Sequence, residues 1–357
     1  MLEKLRKDIW RELGVFMDEA NRKHGISSAS LLLSGGIRDL VMRQGKMVRP
    51  LLFLISYMGY SKKRVLPNKR LLRSALAIEL LHDFLLVHDD VIDKSALRRG
   101  KPTLHRLFNS RLRMPAQSSL GEGLAVVGGD IIFALAIEAL LSADSTPARK
   151  EHALTELIKA TVATGAGEFI DVANGEKKID EISLRDVFLT YDLKTAKYTF
   201  VGPLVMGAVL AGAGENEIKK LSELGLRLGR AFQVQDDLLD MFSSAKKLGK
   251  PTLSDLGESK KTLLVWKAYT SLPPGKKKAL KNCLEKEHKS YKDLIGVRKL
   301  IKASGADVYC EGTVTKLLFE SSAILRSLGM NPAKKTLIAK LVKELFGKTE
   351  GNNKAGS

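Results

Sequence analysis

Residues 68–93, NKRLLRSALAIELLHDFLLVHDDVID, constrain the fold most strongly. They read as one helix of roughly 25 residues, apolar all round its middle, which implies burial among other elements. The end of that helix is the difficulty. Asp89, Asp90 and Asp93 crowd together there, and Arg98, Arg99 and the run Gly100-Lys101-Pro102 follow at once. A second apolar helix carries the same pattern at 232–242, FQVQDDLLDMF, with Asp236, Asp237 and Asp240.

Helical periodicity dominates the rest of the chain. An amphipathic start covers 2–23, and apolar-periodic stretches run to Pro50 and then to Gly59. A polar loop is expected over about 94–120, punctuated by Gly100, Pro102 and Pro115. The next helix is expected from GGDIIFALAIEALLSA, with Asp130 near its N-terminal end, where the dipole favours negative charge. Long helices follow over 148–175, 183–212 and 216–245, then a loop, then three shorter helices and a disordered tail at 348–357. No alternation suggests strands and no linker divides the chain. The expected fold is all-α, one domain over 1–347.

Composition narrows the classes. Few aromatics and long stretches rich in Ala, Leu, Lys and Glu favour helix. Cys283 and Cys310 have neither metal-ligand spacing nor a disulfide framework, consistent with a reduced cytoplasmic setting. The N-terminal segment lacks the apolar core of a signal peptide, and 200–214 is too short and glycine-rich to span a bilayer, so no transmembrane segment is expected. The net charge of +19 admits nucleic acid, an anionic surface or a polyanionic substrate. Scattered lysines without interleaved aromatics give no nucleic-acid signature.

The aspartates decide among these. Residues four apart on a helix lie about 40° apart around its axis, so Asp89 and Asp93 share a face, as do Asp236 and Asp240. Mg2+ wants oxygen ligands and is typically held by one or two carboxylates plus substrate phosphates. One DDxxD alone is more often a solvated acidic helix end. Two, each interrupting an apolar helix, favour metal, since buried unneutralised carboxylates are costly. Each motif therefore reads as half of a magnesium clamp, two such helices holding a polyphosphate between them. Arg98, Arg99, Lys250, Lys260, Lys46 and Arg49 flank the motifs and suit phosphate, Arg bidentately and Lys as a point charge.

These residues resemble the trans-isoprenyl diphosphate synthases, the head-to-tail chain-elongating prenyltransferases, over nearly the whole chain. The resemblance rests on GKMVRP, ELLHDFLLVHDDVIDKSALRRGKPT, GEFID, YDLKTAKYTF, QVQDDLLD and GKPTLSDLGESKKT, in the family's order. It implies a helical bundle around a central active-site cavity and a homodimer. Lys46, Arg49, His82 and Arg99 would bind isopentenyl diphosphate. Asp89, Asp93 and Asp236 would hold Mg2+, three ions in all with the substrate diphosphate, and Asp90, Asp237 and Asp240 would assist. Arg98, Lys194, Lys250 and Lys260 would bind the allylic diphosphate. Lys194, Thr195 and Gln233 would face the allylic carbon as positive charge develops there. Two departures stand out: Glu168 replaces the usual Gln, and Leu253 stands where glycine is common.

Product length should be set along the helix of the first motif. Phe84 precedes Asp89 by five residues, about 7.5 Å along the axis, with Leu85 beside it and Leu81 a turn deeper. A bulky residue at that level acts as a floor in this family, and an aromatic there resembles the archaeal geranylgeranyl diphosphate synthases. C20 is the expected product, with C15 or longer chains as alternatives. A terpene cyclase would not need Lys46 and Arg49, a silent partner subunit would have lost aspartates, and a basic scaffold for nucleic acid would not need either motif.

Overall fold

The computed structural model describes residues 1–43, 45–62, 66–242, 253–286 and 288–347. Lys250 and the tail at 348–357 lie outside them. The fold is all-α. Among the described residues the only strands are Leu97–Arg98 and Lys101–Pro102, a minimal antiparallel hairpin. The chain groups into two compact units, one of residues 1–161, 202–222 and 328–343, the other of 162–201, 223–327 and 344–357.

The first unit is built round α5 (Lys69–Ile92). Asn68 starts it by accepting a hydrogen bond from the Leu71 amide at 2.9 Å, and it ends at Asp93. Its middle is apolar on all sides because α1 (Leu2–His24), α4 (Val48–Tyr60) and α7 (Ser119–Leu141) all pack on it. Leu76, Ile78, Leu80 and Leu81 are wholly buried. The helix Gly202–Ala211 lies against α4, where Ser56 Oγ donates to the Leu204 carbonyl at 2.6 Å. The approach is close because Gly207 has no side chain: a Cβ there would sit 2.3 Å from the Phe53 carbonyl oxygen.

The second unit holds the helices Leu184–Thr190, Leu263–Ser271, Pro274–Leu284, Tyr291–Ala303 and Ala306–Ser327 and the C-terminal part of α11 (Glu215–Phe242). Its core gathers Ile179, Tyr191, Val234, Met241, Leu263, Ile301 and Cys310. Residues Tyr191–Val201 are wound as a π-helix. Leu253, the departure noted above, is buried with φ of 64°. That is the left-handed region which costs glycine nothing and a side chain about 1–2 kcal/mol.

Several expectations need correction. The loop over 94–120 contains the hairpin and a helix, Leu104–Arg111. The helix after it begins at Ser119, capped by Ser118, so Asp130 lies well inside it. Gly121 in its first turn permits close contact: a Cβ there would lie 2.4 Å from the His105 carbonyl oxygen. The stretch read as one helix over 183–212 divides into α-helix, π-helix and α-helix. Beyond the second motif, Leu263–Phe346 carries more than three helices, one of them 22 residues long. By length and composition Ser119–Leu141, not 200–214, could cross a membrane, and Ala125, Ile132, Ala136 and Ala139 on it are wholly buried in the protein.

Gly207→Ala is expected to destabilise the protein by about 1–3 kcal/mol, because backbone must move to admit the methyl group. The shift of the urea midpoint measures it.

Candidate active site

The first acidic motif occupies the last turn of α5, with Asp93 as its cap. The hairpin brings an arginine back to it. Its two-residue turn, Arg99-Gly100, has positive φ at both positions, 55° and 74°, the geometry that matches strand twist in tight hairpins. Arg98 then reaches Asp90 through Nε at 2.8 Å and Nη2 at 2.5 Å, and Asp89 through Nη2 at 3.1 Å. Asp90 is almost fully buried, and burial lifts its carboxyl to about 6 against the pull of Arg98. Its Oδ2 has no hydrogen-bond partner among the described residues. A buried, unsatisfied carboxylate oxygen suits a hard cation.

On the same unit, the cations expected at isopentenyl diphosphate come together. The Arg99 guanidinium packs where a Cβ on Gly45 would be, 3.2 Å away, and donates to the Arg43 carbonyl at 2.8 Å. Lys46 follows Gly45 and is exposed, and Arg49 sits in the first turn of α4. His82 is buried. Burial first, then the fields of Arg49, Arg99 and Arg98, hold its imidazole well below the usual range, so it is neutral.

In the second unit the acidic motif lies at the end of α11. Gly229 lets that helix touch the π-helical segment: a Cβ there would sit 2.2 Å from Ala196 Cβ. The contact aligns Gln233 with Thr195. Thr195 Oγ1 donates to Gln233 Oε1 at 2.7 Å, and Gln233 Nε2 donates to Asp237 Oδ1 at 2.9 Å. Tyr191 completes the chain, donating its hydroxyl to Asp237 Oδ2 and accepting from the Leu263 amide at 2.7 Å. These bonds fix which way the Gln233 amide points. Asp237 is thereby engaged on both oxygens, Asp240 is buried, and Asp236 is the partly exposed member.

Lys194 is paired at 2.7 Å with both Glu168 and Asp171. Lys260 is paired with Glu258 at 2.6 Å. Neighbouring Lys261 is lowered to about 8 by burial and donates to the Gly175 and Ser259 carbonyls. Among the described residues no three His, Cys, Asp or Glu side chains form a ready metal cage.

Leu81 is wholly buried, while Phe84 and Leu85 are partly open. Phe84 packs, with tilted rings, against His88 at 4.5 Å and Phe133 of α7 at 5.0 Å between centroids. Sequence reasoning missed Phe133, Tyr191 and His88. Phe133 comes from a helix no spacing rule connects to Phe84, and Tyr191 stood in a recognised motif without an assigned role.

Comparison with known proteins places these features. The polyprenyl synthetase family pattern matches residues 31–301. This chain belongs to that family. It is 31% identical to the short chain isoprenyl diphosphate synthase of Methanocaldococcus jannaschii, over 82% of this chain and 80% of that one. It is 32% identical to the geranylgeranyl diphosphate synthase of Sulfolobus acidocaldarius over 74% of each. Among solved structures, the geranylgeranyl pyrophosphate synthetase of Pyrococcus horikoshii superposes with a TM-score of 0.78 at 28% identity, covering 96% of this chain and 98% of that one. A geranylgeranyl pyrophosphate synthase of Corynebacterium glutamicum, complexed with isoprenyl diphosphate and magnesium, gives 0.88 at 24% identity over 97% and 99%. The chain is thus a trans-isoprenyl diphosphate synthase.

Asp90 yields a pH prediction. Its folded value of about 6 exceeds the ordinary 3.8, so the protonated form is favoured in the folded state. Stability is therefore lost as pH rises between those values, on the order of 3 kcal/mol in metal-free protein. Asp90→Asn should stabilise metal-free protein at about pH 8 and do nothing at about pH 4. Thermal unfolding in EDTA checks both.

Proposed function

We propose that this enzyme condenses isopentenyl diphosphate with allylic diphosphates, head to tail and with Mg2+, and makes mainly geranylgeranyl diphosphate in the cytoplasm. The observation that carries this reading is the combination in one unit of an acidic helix end with a separate cationic seat of Lys46, Arg49, His82 and Arg99. A cyclase acting on one allylic diphosphate would need only the first. The names of the two archaeal relatives favour a short-chain product.

In this reading Lys46, Arg49 and Arg99 hold the diphosphate of isopentenyl diphosphate, and neutral His82 donates a hydrogen bond to it. Asp89, Asp93 and Asp236 ligate metal, three Mg2+ ions in all, while Asp90, Asp237 and Asp240 support them. Mg2+, when bound, neutralises the allylic diphosphate and stabilises it as it leaves. Arg98, Lys194, Lys250 and Lys260 take the same diphosphate; Lys250 lies outside the described residues. Arg98 and Lys194 exchange their carboxylate partners for phosphate oxygens when substrate enters. Thr195 Oγ1 and Gln233 Oε1 turn oxygen lone pairs toward the allylic cation, in the orientation that Asp237 and Tyr191 impose. The double bond of isopentenyl diphosphate attacks that cation, and a proton is then lost to the released diphosphate.

The packed Phe84 and Phe133 rings close the channel for the growing chain. The enzyme acts as a homodimer. Ile158, Val162, Phe169 and Val172 support this, being exposed apolar residues on the helix Pro147–Glu176 within about 80° of arc.

Incubating the protein with labelled isopentenyl diphosphate, each allylic primer, and Mg2+ or EDTA tests the reading. A C20 alcohol after dephosphorylation, absent in EDTA, is expected. Phe84→Ala should lengthen the product by one or more five-carbon units. A wild-type product of another length would keep the enzyme and refute the aromatic floor. No transfer with any primer would refute the function itself.

A further inference from the structure

Glu168 and Asp171 stand one turn apart on the helix Pro147–Glu176, and one ammonium serves both. Lys194 Nζ is 2.7 Å from Glu168 Oε2 and 2.7 Å from Asp171 Oδ2. The backbone sets this geometry. Gly167, the residue before Glu168, lets the helix touch the π-helical segment at Lys194 itself: a Cβ there would lie 2.3 Å from the Lys194 backbone nitrogen. Lys194 is therefore held beside Glu168 by packing as well as by charge. The side chains of Lys194, Glu168 and Asp171 are only 21%, 17% and 14% exposed, so water and salt screen the cluster only in part.

Two carboxylates on one ammonium leave an excess of one negative charge. One of them would suffice to orient Lys194, and Asp171 has a further cation in its field, the buried Lys261. Asp192, two residues before Lys194, is bound by Arg230 at 2.7 and 2.6 Å, so its charge is met there. Glu168 is thus the surplus anion, at the position where Gln is usual. When Lys194 turns to a phosphate oxygen, Glu168 and Asp171 are left facing each other one turn apart, and like charges at that spacing repel. Every diphosphate that takes Lys194 must overcome that loss.

We propose that Glu168 is a positioning residue that competes with the allylic diphosphate for Lys194, and so sets how tightly that substrate is held. This rests on the assignment of Lys194 to the allylic seat under the proposed function. In the empty enzyme Glu168 and Asp171 keep the ammonium docked on the helix. Diphosphate binds by drawing it away, and leaves more readily because Lys194 has two carboxylates to return to. Glu168 thereby lowers affinity and speeds release, with no part in ionisation or condensation.

Equilibrium binding of the unreactive thiolo analogue of geranyl diphosphate to the full chain, in saturating Mg2+, tests this. Glu168→Gln keeps the shape and removes the charge, and is expected to bind the analogue roughly tenfold more tightly. Glu168→Ala should agree in direction, so either folded variant decides. Loss of a merely structural contact would weaken binding or leave it unchanged, and either result overturns the proposal. Lys194→Met should weaken binding, and adding Glu168→Gln to it should recover little, because the competitor then has no ammonium to hold. A gain of equal size in that background would assign Glu168 to the diphosphate or the metal directly and overturn the proposal alone. Affinity unchanged by Lys194→Met would remove Lys194 from the allylic seat and overturn that part of the proposed function together with the proposal.

Discussion

Asp89, Asp90 and Asp93 sit at the C-terminal end of α5, where the helix dipole is already negative. Three acids there, one of them buried, would weaken a helix that the first unit is built around unless cations met them. The local structure is organised to supply one. The hairpin turns through Arg99 and Gly100 with positive φ at both, and that return delivers Arg98 onto Asp90 and Asp89. Among the described residues Asp90 Oδ2 remains without a hydrogen bond. The remaining demand fits Mg2+ and diphosphate.

The same helix carries the rest of the first unit's chemistry. Going back from the aspartates, it carries Phe84, packed against Phe133, and then His82, whose imidazole lies in the fields of Arg49 and Arg99. These residues occupy successive turns of one rigid element. Rigidity comes from packing, since Leu76, Ile78, Leu80 and Leu81 are wholly enclosed. The second unit solves a different problem. Its hydrogen-bond chain from Thr195 through Gln233 and Asp237 to Tyr191 fixes dipole directions rather than charges.

Much of this could be read from the sequence, because both motifs combine an apolar period with a cluster of charges that points to a ligand. The helix over 68–93 shows in its Asn cap and its unbroken apolar middle. The start of α7 did not, because the close approach of His105 to Gly121 is a contact across helices. The π-helical turn at 191–201 has no sequence signal at all. Phe133 and Tyr191 act across helices, by contacts that no spacing along the chain encodes.

The most direct measurement is equilibrium binding of an unreactive allylic diphosphate analogue to the full chain, with Mg2+ and with EDTA. Neutralisation of the aspartate clusters by metal and diphosphate together predicts tight binding with Mg2+, loss of binding in EDTA, and loss in Asp89→Ala even with Mg2+. Equal affinity in Mg2+ and EDTA would contradict it, since the basic residues alone would then hold the diphosphate.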